Sequence, residues 1–228
     1  LDAFGEVNYQ YHGANRLGAN ALLSCIFDGL FCGAGVVNYA RERTPATDAA
    51  ASPYEAAVEA QEARMKALLD ADGDENPYAI GKELGEEMTA ASTVVKSGPR
   101  LEQSLETIAS FRERYSRIRL SDTGMWTNQT LAYARAVGDM LVIAEAIARG
   151  GLERRESRGS HYRTDFTERN DEQFLATTVA TYDPATGNSK ISFERVETAL
   201  VEPRKRTYGK VESSSAGKEK AVASPNPS

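Results

Sequence analysis

Between Pro53 and Glu156, apolar residues recur at three- and four-residue intervals in four successive segments, and this periodicity limits the fold more than any other feature. A stripe with that spacing lines one face of an α-helix and must be buried against a neighbour. The first segment runs from Pro53 to Asp70, with Pro53 placed to open a helix after Ser52. The second, Asn76 to Lys96, again opens on a capping residue followed by proline. The third, Gly98 to Leu120, carries Leu101, Leu105, Ile108, Phe111 and Tyr115. The fourth, within Asp122 to Glu156, is the longest and sets Leu131, Ala134, Val137, Leu141, Ala144 and Ile147 on one face. Short connections between such helices favour antiparallel neighbours. The expectation is a mainly α protein whose residues 41–157 form an antiparallel bundle of three to four helices, entered through a linker over 40–53.

The flanks read differently. Residues 1–11 look like the end of a strand and a loop, mixing aromatic anchors with Gly and Asn. From Asn20 to Tyr39, Leu22, Leu23, Ile26, Phe27, Leu30 and Phe31 predict one more helix, mostly buried, with Asn20 as its N-cap. After Gly159 the pattern turns β-branched and alternating. Phe174–Tyr182 and Lys190–Val196 flank the turn cluster Asp183–Asn188, which predicts a β-hairpin in a small C-terminal domain over 158–209. Residues 210–228 lack apolar period and are expected to be a disordered tail.

Composition removes several function classes. A net charge of −6 gives no basic face for nucleic acid. There is no run of 18 apolar residues to span a bilayer and no secretory signal pattern. Cys25 and Cys32 fall on the same predicted helix, about 10 Å apart along its axis. That is beyond disulfide reach, so two buried reduced thiols are expected and no metal site. Gly33-Ala34-Gly35 lacks both the preceding strand and the third glycine of a dinucleotide-binding turn.

The residue most suited to chemistry is Arg16. It lies among Gly13, Ala14, Gly18 and Ala19, where backbone can approach a flat ligand, just before the helix that starts near Asn20. Its guanidinium can hold a carboxylate through two parallel hydrogen bonds, and the helix start adds free N–H groups for an anionic acceptor. Taken alone, an arginine in a loop is more often salt-bridged or solvated.

The stretch His12-Gly13-Ala14-Asn15-Arg16-Leu17-Gly18 resembles the segment of succinate dehydrogenase/fumarate reductase flavoproteins that closes over the flavin and holds the dicarboxylate. Glu156-Ser157-Arg158-Gly159-Ser160-His161 is similar to the segment that follows that family's helical domain, and Pro203-Arg204-Lys205-Arg206-Thr207-Tyr208 to its C-terminal end. The resemblance reaches from residue 1 to about 209 and implies the C-terminal part of such a flavoprotein, opening with the end of an FAD-binding α/β domain (residues 1–40). It implies that Arg16 binds a substrate carboxylate and that His12 borders the substrate or fixes the loop. Glu6, Asn15, Ala21 and Leu22 would contact FAD, and many members have serine where this chain has Ala21. His161 would brace the C-terminal domain against the flavin domain. The implied enzyme interconverts succinate and fumarate by hydride transfer to FAD and passes electrons to an iron–sulfur subunit. Membrane-anchor subunits would hold the complex to the cytoplasmic side of the inner membrane. Two alternatives stay open. L-aspartate oxidases share the arginine motif but lack the Pro-Arg-Lys-Arg end, so residues 174–208 favour the dehydrogenase. A non-catalytic docking module contacting the iron–sulfur subunit is the other.

Overall fold

The computed structural model describes residues 4–7, 12–14, 16, 18–43, 52–200 and 202–204. Asn15, 205–208 and the 210–228 tail therefore lie outside the described residues, as do 44–51 of the linker expected over 40–53; the ends of that linker are helical instead, 40–42 in the first long helix and 52–53 in the next. The chain forms two compact units, Leu1–Val196 and Glu197–Ser228. The second contributes a short stretch in which the Ala199 N–H donates to the Glu197 carboxylate at 2.7 Å. The described residues are mainly helical, 57% of them, with small sheets.

Helices α1 (Asn20–Glu42), α2 (Ser52–Leu69), α3 (Pro77–Ser92), α4 (Gly98–Tyr115), α5 (Gln129–Glu153) and the single turn α6 (Asp171–Phe174) are joined by four strands among the described residues. Strands β1 (Val95–Lys96) and β2 (Tyr162–Arg163) pair in parallel. Strands β3 (Ala176–Asp183) and β4 (Asn188–Arg195) form an antiparallel ladder with Ala176 opposite Arg195 and Asp183 opposite Asn188. α5 is central, packing against α2, α3, α4 and the β3–β4 ladder. Ile80 and Leu84 of α3, Ile108 and Phe111 of α4, and Leu131, Ala134, Val137, Leu141, Ala144 and Ala148 of α5 make one core.

Local chemistry explains where these elements begin and end. Asn76 caps α3 by accepting from the Tyr78 N–H at 2.9 Å, with Pro77 in the first turn. Asn128 caps α5 by accepting from the Leu131 N–H, and its amide nitrogen donates to the Asp122 and Gly124 carbonyls. The start of α4 and the end of α5 are tied by one ion pair, a buried arginine and a partly exposed aspartate. Asp165 accepts the Gly98 N–H at the start of α4. Arg163, only 1% exposed, holds Asp165 through both oxygens and donates to the Gly151 and Leu152 carbonyls that end α5.

Several sequence expectations change. The second helix stops at Ser92, and Val95–Lys96 pair as β1, consistent with the β-branched run Thr93-Val94-Val95. The third stops at Tyr115. Ile118 and Leu120 still enter the core, but from an extended segment that bridges to Glu75 and Asp72. On α5 the buried stripe ends on Ala148 rather than Ile147, which is about half exposed, because the 3.6-residue period carries the face on from Ala144 to 148.

α1 departs furthest. It is a helix, but within it only Asp28 is buried, while Leu22, Leu23, Ile26, Leu30 and Phe31 are exposed. Among the described residues its principal neighbour is the turn Gly5–Val7, too small to cover its apolar faces. Cys25 is accordingly exposed and Cys32 half-buried, both as free thiols. By length and composition α1 also qualifies as a membrane span, with a mean hydropathy of 1.6 over its best window. A search for unbroken apolar runs misses this because Ser24, Asp28 and Gly29 interrupt the run without lowering the mean enough.

Candidate functional site

The site is built on the first half of α1. Gly5 sits in the left-handed region (φ +68°), and a Cβ there would lie 2.6 Å from the Cys25 Sγ. Only glycine permits both the conformation and the approach. The Gly5 N–H donates to Asp28 at 2.6 Å, a buried bond that fastens the Gly5–Val7 turn to α1. The turn presents Glu6, whose carboxylate lies 3.5 Å from the Arg16 Nε. Both side chains are about half exposed, so the pair contributes little stability, about 0–1 kcal/mol. Nε makes the nearest approach to Glu6, and among the described residues the terminal fork of Arg16 has no hydrogen-bond or ion-pair partner.

His12 reaches α1 through the Ser24 hydroxyl, with Nε2 to Oγ at 3.4 Å, and Ser24 in turn donates to the Ala21 carbonyl at 2.8 Å. Asn20, expected to cap α1, is instead its first residue. Ala19 occupies the capping position with φ +63° and offers no side-chain acceptor. The first-turn N–H groups of α1 are thus left without a side-chain cap, which suits an anionic acceptor placed against them. Ala21 is half-buried and Leu22 exposed on that turn. Glu6 and Arg16 come together, and His12 joins Ala21 through Ser24. Asp28 and Ser24 were not evident from the sequence, although an acid isolated in an apolar helix is a recognisable signal for Asp28.

A second motif reaches the same loop from 146 positions away. Arg158 and His161 exchange backbone bonds at 2.8 and 3.0 Å, making a tight turn with Gly159 and Ser160 at its tip. The Ser160 N–H and hydroxyl both donate to the Ala14 carbonyl, at 3.2 and 3.3 Å. The base of the turn is fixed by Glu156, fully buried, which accepts from Arg154, from Arg158 through both oxygens, and from the Asn170 N–H. Burial would raise the Glu156 carboxyl, but its bonds to Arg158, Asn170 and Arg154 outweigh that effect and hold it below its ordinary value. Arg158 also binds Asp171 at 2.6 Å. His161 pairs its ring with the Arg154 carbonyl at 3.1 Å, and burial pushes its pKa down.

The family model described as "Fumarate reductase flavoprotein C-term" matches residues 81–208. The chain is 39% identical to the succinate dehydrogenase flavoprotein subunit of Bacillus subtilis, over 92% of this chain and 36% of that protein. The chain belongs to the succinate dehydrogenase/fumarate reductase flavoprotein family. It is also 36% identical to the fumarate reductase flavoprotein subunit of Haemophilus influenzae, covering 92% of the chain and 34% of that relative. Among solved structures, a variant of E. coli quinol fumarate reductase aligns with a TM-score of 0.77 at 33% identity, over 85% of this chain and 33% of the other. A quinol-fumarate reductase with menaquinol molecules aligns with a TM-score of 0.79 at 32% identity, over 90% and 35%. This flavoprotein chain thus spans about a third of the length of the relatives it matches.

Proposed function

We propose that this chain supplies one wall of an FAD and dicarboxylate site in an enzyme that interconverts succinate and fumarate. The reading rests on the pairing of Arg16 with Glu6 beside the uncapped start of α1. Glu6 holds the Nε edge, and the terminal nitrogens of Arg16 clamp a substrate carboxylate. Clamping fixes the substrate carbon against the hydride acceptor, which lowers the entropic part of the barrier. His12 and Ser24 tie the arginine loop to the first turn of α1. Glu6, Asn15, Ala21 and Leu22 contact the cofactor, and the first-turn N–H groups of α1 favour negative charge on it. FAD, when bound, supplies the two-electron acceptor. The chain fits that group on two counts: a helix start lacking any side-chain cap, and an α1 face of exposed Leu22, Leu23 and Ile26 suited to burial against an apolar ring system and the domain that carries it.

In this reading residues 1–40 close an FAD-binding domain, 41–157 form the helical domain and 158–209 the small β-containing domain. Electrons pass to an iron–sulfur subunit, and anchor subunits hold the assembly at the cytoplasmic face of a bacterial inner membrane. Two structural relatives are quinol-fumarate reductases, which supports the exchange of electrons with a redox partner beyond this chain. Dye reduction by the purified holoenzyme with succinate, compared with L-aspartate, tests the substrate. Turnover with succinate is expected, and preference for aspartate would transfer the chain to the aspartate oxidase class.

A further inference from the structure

We propose that the Gly159–Ser160 turn is a positioning device for Arg16, setting the affinity of the site for dicarboxylates from outside it. This rests on the assignment of Arg16 to substrate binding made above. The turn cannot swing, because its base is held by Glu156, Asp171 and the backbone bonds between Arg158 and His161. Its tip meets the arginine loop with no slack. Gly159 has φ +60°, and a Cβ there would lie 2.3 Å from the Ala14 carbonyl oxygen and 2.8 Å from the Ala14 Cβ. Ser160 then grips that same oxygen with two donors. Ala14 is two residues before Arg16, so the two Cα atoms are at most about 7.6 Å apart. A shift at Ala14 must therefore be passed along the chain to the guanidinium. Neither Gly159 nor Ser160 has a group directed at substrate in this reading, and both act through the loop.

Malonate is a suitable probe, since a dicarboxylate with one methylene between its carboxyls cannot be desaturated. Its binding to the holoenzyme is read from the flavin absorbance, alongside FAD content and succinate kcat and KM, for Gly159→Ala, Ser160→Ala and Arg16→Lys. Gly159→Ala is expected to keep FAD and lose about a hundredfold in kcat/KM, with malonate binding weakened in step. Ser160→Ala, which removes one neutral hydrogen bond, is expected to weaken malonate about fivefold. Wild-type malonate affinity in Gly159→Ala overturns the proposal. If Gly159→Ala does not assemble or does not hold FAD, unchanged malonate affinity in Ser160→Ala overturns it instead. Arg16→Lys separates the two levels. If it weakens malonate while both turn variants do not, the positioning role falls and the site assignment stands. If it leaves malonate binding unchanged, the site assignment falls and takes the positioning role with it.

Discussion

Arg16 and Gly5 show how differently two residues of one short segment can matter. Arg16 is half exposed and adds little to stability, so its value lies in its chemistry. Arg16→Lys keeps the charge but loses the planar fork. We expect kcat/KM for succinate to fall about 10- to 100-fold, the worth of a hydrogen bond to a charged group, with FAD content unchanged. Unaltered kinetics would remove Arg16 from the substrate site. Gly5 is the reverse case, with no chemistry of its own and no tolerance for a side chain. Gly5→Ala forces an unfavourable φ and a clash with Cys25, and should cost about 1–3 kcal/mol, read as a drop in Tm. Sequence pattern alone exposed Arg16, because a cation among small residues is conspicuous. It could not expose the need for glycine at position 5, which arises from a contact with a residue twenty positions away.

At the level of elements, helical spacing identified which faces of α4 and α5 turn inward, and it failed where the period had to be carried past its clearest repeats. Ile147 and Ala148 test this on one helix. Leu141, almost fully buried on α5, should cost about 2–5 kcal/mol when cut to alanine. Ile147→Ala should stay within about 0.5 kcal/mol, because that side chain is half in solvent. Equal losses by chemical denaturation would contradict the register given for α5. The sequence opened α4 at Gly98, where it does begin, but not the partners that hold the start of α4 and the end of α5. Those are Asp165 and Arg163, which follow α5 in the chain and reach back to a donor of one helix and acceptors of the other.

For the whole molecule, the titratable groups behind the Gly159 turn predict an acid response in two stages. Burial lowers the pKa of His161 from its ordinary 6.5, so the unfolded chain binds its proton first. Stability from this group is complete above that value and is lost as pH falls through the window beneath it. Asp165 is held well below the usual carboxylate range, chiefly by Arg163, and Asp171 is lowered chiefly by Arg158. Glu156 also ends below its ordinary value, despite the opposing effect of burial. These carboxylates contribute stability above their unfolded values of 3.8 to 4.5, and it is lost as pH falls below them. The urea midpoint followed from about pH 8 to about pH 3 should fall in both windows. His161→Gln should flatten the upper one, and an unchanged profile in that variant would show that His161 does not contribute.

The sequence by itself pointed to the family, through the resemblance of its motifs, and to the helical stripes of the middle segment and the candidate arginine; motif, periodicity and a cation among small residues are all local properties of the chain. It misjudged α1, whose apolar spacing says that a face must be covered without saying by what; among the described residues that face stays open. Only the tertiary structure decided that Glu6 pairs with Arg16, that Asp28 fastens the Gly5 turn, and that Ser160 holds the carbonyl of Ala14. Such pairings join residues 10 to 146 positions apart, and no local pattern encodes the distance at which two surfaces will meet.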